Sequence, residues 1–342
     1  ARRLHPGEAR REGPDAARFL DRVYTNMMST LKPGRCRYGL MCTEQGFLFD
    51  DGVVARVSDD EFLCHTTTGG SDRVHAWLEE WLQTEWWDLK VFTANVTEQW
   101  AQVAVVGPNA RKALETLGGM DVSADALPFM AWTEGTLAGL PARIFRISFS
   151  GELSYEVAVP ASHGQQLWDR LLEAGAPLSA MPYGTEALHV MRAEKGFIMI
   201  GDETDGTVTP HDLGLSWAVS KKKDDFIGKR GLERADLTRP DRLRLAGRET
   251  LDPNVVLPDG IHAVDGKLPA YGPLPPRQRT IGHVTSTYRS PTLGRSIAMA
   301  LIERGPERMG EVLSFPVDGK RVIQARVVSP VFFDPEGEKA NG

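Results

Sequence analysis

After Gly231 the 342-residue chain changes character, and that change constrains its architecture more than any other feature. Before it, apolar residues recur at helical spacing or in short strand-like runs. Beyond it, Gly and Pro turns are frequent and separate short β-type segments. Arg279-Thr280-Ile281-Gly282-His283-Val284-Thr285-Ser286 and Arg321-Val322-Ile323-Gln324-Ala325-Arg326-Val327-Val328 are two of these. Such spacing predicts a small barrel or sandwich. Asp236-Leu237-Thr238-Arg239-Pro240-Asp241 reads as the linker, so a boundary is expected near residue 238.

The first part mixes helices and strands. Residues 14–24 place Ala16, Phe19, Leu20 and Val23 on one stripe behind Pro14. Residues 71–87 carry Val74, Trp77, Leu78, Trp81 and Leu82 at helical spacing, and their Trp content reads as core packing. A strand over 102–106 precedes a helix over 108–117 closed by Gly118, and the order repeats with a strand over 155–159 and a helix over 163–173. Residues 185–195 form the last clear helix.

A net charge of −6, with a quarter of the residues charged, gives no reason to expect nucleic acid. No apolar run is long enough to span a bilayer as a helix. The start is basic with no apolar run behind it, unlike a secretory signal, and its lack of Met suggests a trimmed chain or an excised piece of a longer one. Cys36, Cys42 and Cys64 lack zinc-type spacing, which points to reduced thiols in a cytoplasmic protein. No G-x-G-x-x-G, Walker loop, G-x-S-x-G or H-x-x-x-H is present. Lys221-Lys222-Lys223 before Asp224-Asp225 reads as a solvated turn.

Three carboxylate sites stand out. Asp50 and Asp51 adjoin within Gly46-Phe47-Leu48-Phe49-Asp50-Asp51-Gly52-Val53-Val54, apolar enough for a buried strand. Successive strand side chains point to opposite faces, so one of the pair faces inward. An inward carboxylate requires hydrogen bonds or a cation; the other reading of Asp-Asp-Gly is a turn. Glu156 ends the alternation Ser150, Glu152, Ser154, Glu156 before an apolar strand run. As an acceptor with two parallel oxygens it suits adjacent N–H donors, or alternatively a salt bridge to Arg143 or Arg146. Glu194 lies in a last helical turn, where the dipole disfavours it and Arg192 or Lys195 could compensate.

Together these segments resemble the aminomethyltransferase (glycine cleavage T protein) superfamily. The resemblance rests on Gly39-Leu40-Met41-Cys42-Thr43-Glu44-Gln45-Gly46-Phe47-Leu48-Phe49-Asp50-Asp51, Gly151-Glu152-Leu153-Ser154-Tyr155-Glu156, Arg192-Ala193-Glu194-Lys195-Gly196-Phe197 and Asp212-Leu213-Gly214-Leu215-Ser216-Trp217. It implies an α+β folate-binding fold over 1–237, in two subdomains, and a C-terminal β-barrel over 238–342. Within the superfamily, Val23-Tyr24-Thr25-Asn26, Tyr38-Gly39-Leu40-Met41 and Asp205-Gly206-Thr207-Val208-Thr209-Pro210 resemble the C-terminal part of heterotetrameric sarcosine oxidase α subunits.

That resemblance implies tetrahydrofolate as cofactor and a flavin-carrying β subunit, with smaller subunits, as partners; flavin enters only in the assembled complex. It implies capture of the methylene iminium from sarcosine oxidation, giving 5,10-methylenetetrahydrofolate and glycine. Asp51 matches the reactive aspartate, Glu156 the glutamate that grips the pterin, and Tyr38 a pocket aromatic. Thr67 stands where T proteins have Asn, and Phe149 where many relatives have Tyr. Tyr155, Glu194 and Phe197 complete the implied folate set. Leu188 replaces a T-protein arginine, and residues 4–12 replace a usual Asp-Val-Ser, turn and strand with a basic stretch that does not read as a strand. Alternatives are a stand-alone T protein acting on a lipoyl carrier and a structural subunit without folate. An iron–sulfur assembly factor is disfavoured because Lys195-Gly196-Phe197 replaces its Lys-Gly-Cys.

Overall fold

The computed structural model describes residues 7–270, 272, 278–317, 319 and 321–342. A first sheet joins β1 (Gly7–Glu12), β2 (Cys36–Cys42), β3 (Leu48–Arg56), β4 (Glu61–Thr66) and β5 (Phe92–Asn95) in the order β2-β3-β4-β1-β5. Helices α1 (Ala16–Val23) and α2 (Ser71–Thr84) cover one of its faces. The apolar stripes meet the sheet there: Phe19, Leu20, Val74 and Leu78 pack with Met41 and Val54. Burying such stripes, at about 25 cal/mol per Å² of apolar surface, is what holds these short helices in place.

β1 corrects the expectation that residues 4–12 are not a strand. Its backbone pairs with β4 from Gly7↔Thr66 to Glu12↔Glu61 and with β5 from Ala9↔Asn95 to Glu12↔Phe92. Two flanking strands offer ladder partners on both edges, so tertiary pairing overrides a composition with little strand propensity. Leu4, His5 and Pro6 lie outside the described residues.

A second sheet joins β6 (Trp100–Val106), β7 (Ala131–Leu137), β8 (Leu140–Arg146) and β9 (Ser154–Pro160) in the order β6-β9-β8-β7. Helices α3 (Ala110–Leu117) and α4 (Gly164–Gly175) cover one face, with Val103, Leu114, Ile144, Val157 and Leu167 in the core between them. Gly118 closes α3 at φ +66°, a conformation that favours glycine. The other face of this sheet meets the first sheet along a seam of Cys36, Ala55 and Leu63 against Trp132, Phe145 and Ala158. All three cysteines are buried, and none forms a disulfide among the described residues.

After α5 (Thr185–Glu194) the chain runs through turns to α6 (Lys229–Leu232). Here Lys223 departs from the expected solvated turn. It is buried, and its Nζ donates to the carbonyls of Tyr24 at 2.5 Å and Asn26 at 3.1 Å. Burial pulls its ammonium down to about 8.

The β-rich end is a barrel rather than a sandwich. β10 (Leu243–Thr250), β11 (His262–Val264), β12 (Thr280–Ser290), β13 (Arg295–Glu303), β14 (Val312–Pro316) and β15 (Val322–Val328) close in the order β10-β13-β12-β11-β14-β15. Closure removes the exposed edges that an open sheet would leave. Outward-facing Leu245, Met299 and Leu301 pack against Leu40 and Leu48, fixing the barrel against the first sheet. A short α7 (Glu338–Asn341) ends the chain. No helix among the described residues is long and apolar enough to cross a membrane.

Candidate functional site

The β2–β3 hairpin sorts the adjacent aspartates onto different faces. Asp50 points to the α2 side and has no exposure. Its Oδ1 accepts from the backbone N–H groups of Asp51 at 3.0 Å and Thr67 at 3.1 Å, while Oδ2 lies 3.2 Å from the Arg73 guanidinium. Burial raises its pKa, and these donors oppose the rise. A Cβ at Gly70 would stand 2.7 Å from Asp50 Oδ2, so a larger residue there would displace the carboxylate.

Asp51 stands opposite Leu40 in the ladder, on the face that carries Tyr38. It is half-buried, and its Oδ2 accepts from the Tyr38 hydroxyl at 2.6 Å. Burial pushes its carboxyl up to about 7, with the Tyr38 bond opposing and the Asp50 charge adding. Tyr38 is driven well above its ordinary range by burial and by the Asp51 charge. Its ring lies 5.9 Å from that of Trp217, which is 69% exposed. Both aspartates thus face packed surroundings, Asp50 toward α2 and Asp51, which the resemblance selects as reactive, toward Tyr38. The sealed carboxylate is Asp50, because α2 and the Thr67–Gly70 turn close over its face. Asp51 keeps partial exposure.

Glu156 lies on β9, directly opposite Phe145 on β8. It is half-buried and accepts from Gln102 Nε2 on β6. Burial raises its pKa, against the charge of His65 and the Gln102 bond. The His65 ring meets Phe145 edge-on at 4.7 Å. Tyr183 has a buried hydroxyl with no hydrogen-bond partner among the described residues. Its pKa is pushed up to about 12 by burial and then by the Glu156 charge. The expected alternative of an Arg143 or Arg146 salt bridge is not the arrangement found for Arg146, which donates to the carbonyls of Leu127 and Asn341.

The two carboxylates approach one seam from two sheets. Val53, two positions from Asp51 on the same strand face, packs into the cluster that contains Phe145. Phe145 in turn stands opposite Glu156. Tyr155 does not join them. It has no exposure, lies in the core under α3 and α4, and its hydroxyl takes a 2.9 Å bond from Arg111. The strand period of two that brings Glu156 to the seam turns Tyr155 away from it.

The other expected residues are dispersed. Thr67 acts through Asp50, as described. Phe149 is half-buried in the loop between β8 and β9, and Phe197 is 37% exposed just after α5. Glu194 is buried, and its Oε1 accepts from Ser290 Oγ at 2.6 Å. Compensation by Arg192 or Lys195 is corrected: Lys195 pairs with Asp334 at 3.1 Å, and Arg192 with Glu203 at 2.7 Å and Asp202 at 2.9 Å. A hydroxyl donor rather than a cation meets the Glu194 carboxylate.

Gln102, His65, Tyr183 and Trp217 were not among the expected site residues. Gln102 alone had a readable signal, a polar residue inside an apolar strand. Two surface hollows, of about 270 Å³ beside Arg73 and Phe49 and about 370 Å³ beside Arg242 and Leu243, include neither Asp51 nor Glu156. No group of three or more His, Cys, Asp or Glu positioned for a metal occurs among the described residues.

Two family domains match the chain: the GCVT N-terminal domain over residues 4–223 and the glycine cleavage T-protein C-terminal barrel domain over residues 244–334. Sarcosine oxidase subunit alpha of Corynebacterium sp. (strain U-96) is 50% identical over 338 residues, covering 98% of this chain and 34% of that protein. The subunit of the same name from Rhizobium meliloti (strain 1021) is 44% identical over 330 residues, covering 96% of this chain and 33% of the relative. The chain thus spans about a third of the length of these relatives. Aminomethyltransferase of Desulfitobacterium hafniense (strain DSM 10664 / DCB-2) is 30% identical over 333 residues, covering 97% of this chain and 86% of the relative. The glycine cleavage system aminomethyltransferase T from Bartonella henselae superposes with a TM-score of 0.82 at 23% identity, covering 96% of this chain and 84% of that one, a likeness of fold.

Proposed function

The chain belongs to the glycine cleavage T-protein family, and from that premise we propose that it is the tetrahydrofolate-binding part of a sarcosine oxidase α subunit. Its reaction would be capture of the methylene iminium left by sarcosine oxidation, giving 5,10-methylenetetrahydrofolate and glycine. The oxidation would occur on the flavin of a β-type partner subunit. Tetrahydrofolate, when bound, would supply the amine nitrogens that take up the methylene.

The single observation that carries this reading is the state of Asp51: half-buried, anchored by Tyr38, with its carboxyl pushed up to about 7. At that pKa the group can act as a base near neutral pH. Ionised, it stabilises an adjacent cationic iminium in a site of low polarity. The Tyr38 hydroxyl holds one oxygen, orienting the carboxylate. The residues around Glu156 fit the pterin end of a folate. Its carboxylate can accept from paired N–H donors, and the buried Tyr183 hydroxyl near it is an unmet polar group. Donors brought to Glu156 would offset the desolvation that raises its pKa.

Calorimetric titration of the native assembly with tetrahydrofolate tests the proposal. Binding is expected, and Glu156→Ala weakens it. No binding by an intact assembly overturns the folate reading. The match to an aminomethyltransferase over 86% of its length keeps a second reading, a T protein serving a lipoyl carrier. Capture from native lysate separates them: a flavoprotein partner supports the first, a lipoyl protein the second.

A further inference from the structure

Away from the seam, the barrel interior holds a charge that no described residue pairs. Arg248 on β10 has no exposure. Ala246, two positions earlier on the same strand face, packs in the barrel core with Ala298, Ala300 and Val327, so this face is the inner one. Nη1 of Arg248 donates to the Gly247 carbonyl at 2.6 Å. Nε and Nη2 are buried and have no hydrogen-bond partner among the described residues. These two nitrogens form the side edge of the guanidinium, whose parallel N–H groups match the two oxygens of a carboxylate.

Three hydroxyls share the inner face and are also buried without partners: Thr250, Thr287 and Ser296. In the ladder Arg248 stands opposite Ala298, and Ala298 opposite Thr287. Thr250 and Ser296 lie two positions from Arg248 and Ala298 on their strands, in the next inward row. With strands about 4.8 Å apart and about 6.7 Å between alternate residues, all three hydroxyls fall within reach of an arginine side chain.

The charged groups that act on Arg248 are Arg308 and Glu311. Glu311 is exposed and held by Arg308 at 3.1 Å. Burial pulls the guanidinium down to about 9, Arg308 adds to the fall and Glu311 opposes it, so the group stays charged at neutral pH. A buried charge with unmade hydrogen bonds is costly, and native proteins rarely leave one.

We propose that the closed barrel is a binding site for a small oxyanion of carboxylate size, gripped side-on by Arg248 and bonded by the hydroxyls of Thr250, Thr287 and Ser296. The site is separate from the seam and independent of the folate reading. Its test is a titration of the full chain, in its native assembly, with sodium acetate while a bulky sulfonate holds ionic strength constant. Acetate is expected to raise the thermal unfolding midpoint saturably, by about 2–4 °C, and to appear on Arg248 in crystals. Arg248→Met should abolish the rise, and Thr250→Val with Ser296→Ala should weaken the apparent affinity about tenfold. If Arg248→Met fails to fold, the hydroxyl variant carries the decision. An equal rise in both variants overturns the proposal. So does the absence of any acetate dependence, with ordered waters alone on Nε and Nη2.

Discussion

The joint between α5 and the barrel and the seam between the two open sheets both bury charge, and they treat it in opposite ways. At the joint, Arg192 has no exposure and donates to Glu203, Asp202, Ser286, Tyr288 and the Phe197 carbonyl. Glu203, equally sealed, also accepts from Met199 N and the hydroxyls of Thr285 and Ser286. At the seam, Asp51 has the Tyr38 hydroxyl, Glu156 has Gln102, and the hydroxyl of Tyr183 has no described partner. A buried charge surrounded by fixed partners is a structural joint. One left with acceptor capacity and partial access can take a ligand. The Asp50-Asp51 pair repeats the contrast at adjacent positions.

Substitutions can break or sharpen that contrast. Arg192→Ala should have the largest effect on stability, about 3–5 kcal/mol in denaturant unfolding, because the buried Glu203 carboxylate loses the cation that balances it. A loss under 1 kcal/mol would make the joint as tolerant as a surface. Asp51→Asn should leave folate affinity near the parent value and slow methylene transfer by about 10²-fold or more, equivalent to about 2.7 kcal/mol. Glu156→Ala should weaken tetrahydrofolate about 10- to 100-fold in calorimetry, the loss of bonds to a charged acceptor. Tyr155→Phe should be the mildest: about 1 kcal/mol of stability from the Arg111 bond, with folate affinity unchanged. Any affinity change there would return Tyr155 to the seam.

Much of this fold was legible in the sequence, for identifiable reasons. The stripes of α1 and α2 and the strand–helix repeats around β6 and β9 carry strong periodicity, and their ends moved only by a few residues. β1 was not legible, since its pairing depends on β4 and β5 rather than on its own residues. Alternation limited Asp50 and Asp51 to opposite faces but could not say which face α2 would close. It also separated Tyr155 from Glu156. Lys223 read as solvated because its acceptors, the carbonyls of Tyr24 and Asn26, lie about 200 residues away in sequence. Glu194 met Ser290, 96 positions away, for the same kind of reason.

The raised pKa of Asp51 also has a consequence for stability. Folded, the carboxyl keeps its proton up to about 7, while unfolded it loses it near the ordinary value of about 3.9. Stability contributed by the protonated form is complete below about 4, declines as pH rises and is gone above about 7. Asp51→Asn should remove this decline, gaining most over the parent at pH 8.

The central claim is that Asp51, and not its sealed neighbour, is the reacting carboxylate. Single-turnover methylene transfer measured against pH in the parent assembly and in Asp51→Asn tests it most directly. The account predicts a parent rate that climbs through one ionisation near 7, and a variant that is slow and flat across the same range. A variant that keeps both the rate and the climb would contradict it.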